Sequence, residues 1–241
     1  MALSYFFNLA QLQRPGRVKM EMHRPGQRSG FTLIELLVSI SILAILAAIS
    51  YPVYTTALQH AHCSTCASNM HSLSIALMSY AYENNGQLPG RAQSGTNKWP
   101  LLLLPYCGGD PSVYIDPGDP VAVKVSMSSM LSNTKNNSSF FFNGFNDLGS
   151  YTDPTISVSL YDVPSSSALA LLGEQEPGSD QFYMDFVEGN QDDILNKTSY
   201  FGGSNYAFAD GSVRYIKVAD YSDSMWLVNP NYVIPPVPPG H

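Results

Sequence analysis

The sequence predicts an α+β fold in which one very long N-terminal helix packs against a small antiparallel sheet. Residues 31–85 contain no Gly and a single Pro, and apolar residues recur in the second half of this stretch at helical spacing. Short β-rich runs bounded by turn residues follow after residue 137. The clearest is a hairpin at Asn205–Tyr215, NYAFADGSVRY, in which Asp210-Gly211 is predicted to form a two-residue turn.

The predicted helix begins with an apolar segment, Phe31–Val53, which reads FTLIELLVSISILAILAAISYPV. This is long enough for a helix to cross the hydrocarbon core of a bilayer. Its only charged residue is Glu35, and a carboxylate at membrane depth is costly enough to indicate a function. We expect Pro52 to kink the helix near the end of the segment.

Charge is distributed unevenly along the chain. Residues 1–30 carry five basic residues and one acid, whereas the remainder carries 7 basic and 18 acidic residues. A basic stretch ahead of an apolar one predicts that the leader stays in the cytoplasm and that the body crosses the membrane. The acidic body argues against a nucleic-acid partner, because phosphate binding needs basic surfaces.

Gly30 directly precedes Phe31 at the start of the apolar segment. A cut between the two would give Phe31 a free, positively charged amine. In a stack of identical helices, Glu35 of one subunit would neutralise this amine on a neighbour, because either charge left unpaired in hydrocarbon costs several kcal/mol. Such a pair would set the register of assembly.

The string GFTLIELLV, Gly30–Val38, resembles the prepilin cleavage and methylation motif of type IV pilins and type II secretion pseudopilins. The resemblance implies that a prepilin peptidase cuts between Gly30 and Phe31 and methylates the Phe31 amine. It implies an assembly role for Glu35, a helix kink at Pro52 and a pilin-like fold. It also implies a single-pass anchor in a bacterial inner membrane, with the head in the periplasm or outside the cell. The implied partners are membrane lipid, further subunits and the inner-membrane assembly platform.

Other interpretations of the N-terminus stay open. A conventional signal peptide has a shorter apolar core and a small-x-small cleavage site. The best candidate here, Ala48-Ile49-Ser50, would release a secreted domain near Ser50. An ordinary single-pass anchor gives no reason for Glu35. Because the leader is long, translation starting at Met20 instead of Met1 is a further alternative.

The sequence predicts five segments along the chain. They are a cleaved basic leader (1–30), a transmembrane assembly helix (31–53), an amphipathic helix (54–85), a globular α+β head (86–232) and a proline-rich tail (233–241). The helix is expected to end at the C-cap signal Asn84-Asn85-Gly86.

The head is expected to be loop-rich at first and β-rich later. Short elements are predicted at 100–104 and 122–131, within a stretch that contains many Pro and Gly. Strands are predicted at Ser138–Asn143, Ile156–Leu160 and Ala168–Leu172.

A second resemblance concerns residues 198–217. Pilin-like proteins of planctomycete- and verrucomicrobia-type bacteria carry a C-terminal His, nine further residues and then Asp-Gly. Asp210-Gly211 fits this pattern, whereas the His position falls on Tyr200. The chain departs from its relatives again at Asp116, in YIDPGD, where they usually carry a Cys.

One group of side chains has the residue types of a zinc site, namely His60, His62, Cys63 and Cys66. Four ligands cannot converge from one straight helix, so we interpret them as small polar residues of a helix that packs on a sheet. A Cys63–Cys66 disulfide is disfavoured because the one-turn spacing strains the bridge.

No cofactor is predicted, and calcium is the one metal left open. Some pseudopilins that resemble this chain bind calcium in an acidic C-terminal loop. The matching candidates here are Asp192, Asp193 and Asn196, whose oxygens are ligands that calcium accepts.

The sequence predicts a structural protein and not an enzyme. It has no Gly-x-Ser-x-Gly motif, no phosphate-binding Gly loop and no convincing nucleophile–base pair. Glu174, at the end of an apolar strand, is interpreted as a local cap or pair. The predicted role is a subunit of a type IV pilus-like or type II secretion pseudopilus fibre. The alternative is a membrane-tethered binding module that does not polymerise. The sequence leaves open a DNA-uptake apparatus, the choice of major or minor subunit, and the cargo.

Overall fold

A computed structural model describes residues 30–92, 97–121, 138–150, 153, 156–179, 181–184, 186 and 191–234. The chain divides into two compact units, Met1–Ala48 and Ile49–His241. The helices are α1 (Leu33–Glu83), α2 (Trp99–Leu103) and α3 (Gln191–Ile194), and the strands are β1 (Phe140–Asn143), β2 (Ala170–Glu174), β3 (Tyr183–Met184), β4 (Gly203–Phe208) and β5 (Val213–Lys217).

Helix α1 ends where its C-cap signal predicts. Asn85 and Gly86 both have positive φ, and the Gly86 amide donates to the Ala81 carbonyl at 2.7 Å. This left-handed exit satisfies a terminal carbonyl that would otherwise lack a partner. The helix includes Pro52, whose carbonyl accepts hydrogen bonds from the hydroxyls of Thr55 and Thr56. The kink at Pro52 stays a prediction.

The second half of α1 supplies one wall of the main core. Its buried residues follow helical spacing and include Met70, Leu73 and Leu77. They pack in one cluster with Phe140 and Phe142 of β1. Each such side chain contributes about 1.5–3 kcal/mol when it leaves water. The predicted α+β class, a long N-terminal helix packed with a small sheet, is confirmed.

The sheet has five strands in the order β3-β1-β2-β4-β5. All neighbouring pairs are antiparallel except β1 and β3, which are parallel. Strand β3 runs opposite to β2 with β1 between them, so it must run in the direction of β1. The sheet is therefore mixed, whereas the sequence predicted a purely antiparallel one.

The sheet is covered on both faces. Phe140 and Phe142 face the α1 side, whereas Phe141 joins a second cluster with Tyr206 and Trp226. Every residue of β1, β2 and β4 is buried. A strand buried on both faces is expected to read as a continuous apolar run, which explains the consecutive phenylalanines of β1.

The β4–β5 hairpin is confirmed, but its predicted two-residue turn is wrong. The Phe208 amide donates to the Ser212 carbonyl and the Gly211 amide donates to the Phe208 carbonyl, both at 2.9 Å. Three residues, Ala209 to Gly211, therefore form the loop. A two-residue type I′ turn needs positive φ at both central residues, and here Gly211 has positive φ whereas Asp210 does not.

The structure confirms some of the other predicted strands and short elements and contradicts one. Strands β1 and β2 fall within or overlap their predicted runs. Ile156–Leu160 is not a strand, because its backbone makes only an isolated bridge, Gln87 to Ser159, before a 3₁₀ turn at Leu160–Asp162. Helix α2 coincides with the predicted short element at 100–104. The element predicted at 122–131 and most of the predicted tail lie outside the described residues.

Candidate functional site

The predicted cleavage site lies in a non-helical segment just ahead of α1. Gly30 and Phe31 precede the first helical residue, Leu33, and the Phe31 side chain is 78% exposed. A peptide bond in an exposed, non-helical segment is sterically open to a peptidase. Cleavage between the two residues stays a prediction.

Thr32 and Glu35 form a reciprocal cap at the start of α1. Glu35 Oε2 accepts hydrogen bonds from the Thr32 amide at 2.9 Å and from the Thr32 hydroxyl at 2.8 Å. The Glu35 amide in turn donates to Thr32 Oγ1 at 3.3 Å. This is a capping box, which pairs amides that the first helical turn leaves without partners. The sequence signal, Thr-x-x-Glu before an apolar run, was available and the sequence reasoning did not use it.

The residues that follow the cap are apolar and exposed. All residues from Gly30 to Tyr54 are exposed. Among the described residues, α1 is the one helix long and apolar enough to cross a membrane, and its most apolar window has a mean hydropathy of 2.5. An apolar stripe of this size in water would be unfavourable, so it needs lipid or another apolar surface.

A second group of candidate side chains lies buried inside the head. Cys66 of α1, Asp116 and Glu174 of β2 form what we call the acid–thiol cluster, in which the candidate ligand atoms all lie within 4.8 Å of one another. Their exposed fractions are 0%, 5% and 1%, respectively. The Cys66 thiol lies 3.1 Å from Glu174 Oε1. Buried titratable groups this close together need hydrogen-bond partners, shared protons or a bound cation.

Two neighbouring residues orient the carboxyls of the cluster. Tyr200 donates its hydroxyl hydrogen bond to Asp116 Oδ1, which also accepts from the Gly118 amide at 2.8 Å. Asn205 donates to Glu174 Oε1 through its amide at 3.0 Å and its side chain at 2.8 Å. Each carboxyl is thus fixed by hydrogen bonds to one of its oxygens.

The cluster favours protonated groups as it stands. Burial raises the pKa of Glu174 and the pKa of Asp116. The nearby Asp116 carboxyl raises the pKa of Glu174 further, and Asp119 does the same for Asp116. Burial also raises the pKa of the Cys66 thiol, and the two carboxyls raise it further. The hydrogen bonds from Asn205 and Tyr200 oppose these shifts but do not reverse them.

The four residues with a zinc-like pattern do not come together. His60 stacks on Phe201, with ring centroids 4.2 Å apart, and the Asn205 side chain donates weakly to Cys63. Only Cys66 joins the acid–thiol cluster. Cys63, Cys66 and Cys107 are free thiols. The sequence prediction that these four residues form no zinc site on the helix did not anticipate the contact of Cys66 with Glu174, because Glu174 is 108 residues away in the chain.

The calcium candidates lie in and just after α3. Asp193 is exposed, and Asn196 Oδ1 accepts from the Thr198 amide at 3.0 Å. The Asn196 carbonyl also accepts a hydrogen bond from the Ser204 hydroxyl, and the Asn196 amide donates one to the Glu174 carbonyl. Hydrogen bonds within the chain thus occupy the side-chain oxygen, the carbonyl and the amide of Asn196. Calcium binding at this loop stays a prediction.

Residues 26–51 match the family model described as the prokaryotic N-terminal methylation motif. No curated protein and no solved structure matches the chain. The match covers the predicted cleavage site, Glu35 and most of the apolar segment. It supports the prepilin-like class, in which the subunits are structural and are processed by a prepilin peptidase.

Proposed function

We propose that this chain is a structural subunit of a type IV pilus-like or type II secretion-type pseudopilus fibre. The precursor inserts in the inner membrane with its basic leader in the cytoplasm. A prepilin peptidase cuts between Gly30 and Phe31 and methylates the Phe31 amine. The mature subunits then stack through the apolar half of α1 on the assembly platform, and the head decorates the fibre.

One observation carries the proposal. The methylation motif, residues 26–51, includes the start of a helix whose residues are all exposed as far as Tyr54, with Glu35 as the single charge among them. A membrane anchor alone needs the apolar residues but not the carboxylate. A charged side chain costs roughly 2.5–3.5 kcal/mol at the middle of a membrane helix and less toward its ends, and Glu35 lies in the first turn of α1, so a partner of opposite charge would still stabilise it.

The compensation for Glu35 comes from a neighbouring subunit in this proposal. Within one chain, Glu35 Oε2 is held by Thr32. Thr32 is uncharged, so it orders the carboxylate without neutralising it. The Phe31 amine of an adjacent subunit supplies the opposite charge, and an ion pair in a low-dielectric fibre core is strongly dependent on register.

The test is assembly by Glu35 variants in cells that make the prepilin peptidase and the assembly platform. Glu35→Gln keeps the shape of the side chain and removes its charge, whereas Glu35→Leu removes both. We expect both variants to be cleaved normally, as judged by intact mass, and to form few or no sedimentable fibres. Glu83→Gln, the same substitution at the exposed end of α1, is the matched control and should assemble like the unmodified protein.

Normal fibre yield from Glu35→Gln would contradict the proposed assembly mechanism. Together with an anchored, monomeric chain in the membrane, it would favour the alternative, a tethered binding module. Because cleavage and assembly are read separately, a processing defect is not mistaken for an assembly defect.

A further inference from the structure

The acid–thiol cluster joins three separate parts of the head. Cys66 lies on α1, Asp116 follows a 3₁₀ turn that ends at Tyr114, and Glu174 closes β2. Their candidate ligand atoms lie within 4.8 Å of one another. Any group bound by all three would tie α1 to the sheet and to the intervening loop region.

The charge balance of the cluster is unfavourable without a cation. Two carboxyls and a thiol, each at most 5% exposed, are buried with their candidate ligand atoms within 4.8 Å of one another. Burying like charges side by side is costly unless protons or a metal ion neutralise them. The cluster must therefore hold extra protons or a bound cation.

An orphaned oxygen distinguishes between these two solutions. Glu174 Oε1 accepts from Cys66 and twice from Asn205, whereas Glu174 Oε2 is buried and has no hydrogen-bond partner among the described residues. A proton on Oε2 would neutralise the carboxyl but would turn this oxygen into a donor that needs an acceptor in its turn. A bound metal ion would neutralise the carboxyl and give the oxygen a partner at once.

The donor set indicates which cation. Calcium and magnesium prefer oxygen ligands throughout, and a thiolate disfavours both. Zinc accepts sulfur and carboxylate oxygen together, and three protein ligands are enough for it. The hydrogen bonds from Tyr200 and Asn205 resemble the outer contacts that orient ligands at metal sites.

We propose that Cys66, Asp116 and Glu174 form a buried site for one Zn²⁺ or a similar borderline divalent cation. The bound ion replaces the thiol proton of Cys66, gives Glu174 Oε2 a partner and clamps α1 to β2. The site is independent of Glu35 and of assembly, so its failure would leave the proposed function untouched.

The first test uses the untagged full-length chain in detergent micelles, stripped of metal with a chelator. Titration with Co²⁺ should saturate at one ion per chain and produce the near-ultraviolet absorption of a thiolate-to-cobalt charge transfer. One equivalent of Zn²⁺ should abolish this absorption. Absence of a one-to-one endpoint, or binding without the charge-transfer band, would overturn the proposal.

Variants then assign the ligands. Cys66→Ser should remove the band, and Glu174→Gln should weaken Co²⁺ binding by more than the roughly 10–100-fold typical of losing an outer contact. Cys107→Ser and Glu176→Gln, the same changes outside the cluster, should leave the titration unchanged. Circular dichroism of the metal-free variants checks folding. If Glu174→Gln does not fold, Asp116→Asn provides the second carboxyl test.

A band that disappears in Cys63→Ser but persists in Cys66→Ser would also overturn the assignment. Unchanged affinity in both Glu174→Gln and Asp116→Asn would do the same. In the first case the metal binds through Cys63, and in the second it binds without the two carboxyls, so in neither case do the three residues form the site.

Discussion

The Tyr200 hydroxyl donates a hydrogen bond to Asp116 Oδ1 and so connects two residues 84 positions apart in the chain. Both side chains are buried. Gly118 makes the contact possible, because a Cβ at this position would collide with the Tyr200 hydroxyl. The contact fixes one carboxyl of the acid–thiol cluster.

Tyr200→Phe should lower the free energy of unfolding by about 1–3 kcal/mol, because a buried carboxyl loses one of its two Oδ1 donors. Urea unfolding in detergent, with a chelator present so that metal plays no part, measures the change. Tyr82→Phe is the matched control, since Tyr82 is 84% exposed and should change stability little. Equal stability of the two variants would mean that the contact contributes nothing.

At these same two positions, the resemblance proposed from the sequence leads us to expect a His in place of Tyr200 and a Cys in place of Asp116. Because Tyr200 and Asp116 touch, we expect the two departures to be coupled. The double variant Tyr200→His, Asp116→Cys should be more stable than the sum of its single variants predicts, by about 0.5–3 kcal/mol. A double-mutant cycle of unfolding free energies measures this, and strict additivity would show that the positions vary independently.

Asn143 ties β1 to β2 and to the C-terminal segment through one buried amide. Its Nδ2 donates to the carbonyls of Ala170 at 2.8 Å and Trp226 at 2.9 Å, and its Oδ1 accepts from the Phe145 amide at 2.8 Å. Asn143→Asp would place an acceptor against two carbonyls and should destabilise the head by at least about 3 kcal/mol. Thermal unfolding checks it.

The control for Asn143→Asp is Asn231→Asp, the same change at an exposed position. It should shift the melting temperature little. A melting temperature for Asn143→Asp within a degree or two of the control would show that the hydrogen bonds of Asn143 do not stabilise the head.

Short sequence signals predicted the helix end and the hairpin, because each of these depends on a few neighbouring residues. The end of α1 was predictable because Asn84-Asn85-Gly86 carries its own capping signal, and the β4–β5 hairpin because Asp210-Gly211 marks a turn. The exact loop was not, since the choice between two and three residues depends on the hydrogen bonds of Phe208, Gly211 and Ser212. The parallel strand β3 is only two residues long, which is too short to show the alternation of apolar and polar residues that predicts a strand.

The N-terminal motif and the acid–thiol cluster also differ in how far local sequence predicts them. Gly30, Phe31 and Glu35 lie within a single short motif, so sequence alone is enough to predict roles for them. Cys66, Asp116 and Glu174 come from a helix, a loop and a strand, and no local spacing relates them. Glu174 was interpreted as a local cap, whereas its partners are more than 30 residues away, at Cys66 and Asn205.

Replacement of Gly30 tests processing separately from assembly. The motif places the scissile bond after Gly30, so Gly30→Leu should put a branched side chain where the peptidase that the motif implies accepts glycine. We expect the variant to keep its basic leader and to stay anchored without forming fibres. The intact mass of the chain in the membrane fraction shows whether the leader is retained. A variant that loses its leader normally would show that cleavage does not occur after residue 30.

The most direct measurement is the intact mass and N-terminal sequence of the unmodified protein extracted from the membranes of cells that make the prepilin peptidase. The account predicts a mature chain that begins at Phe31 and carries one added methyl group on its amine. A chain that begins near Tyr51, or one that keeps its leader, would contradict the prepilin pathway and the fibre that depends on it.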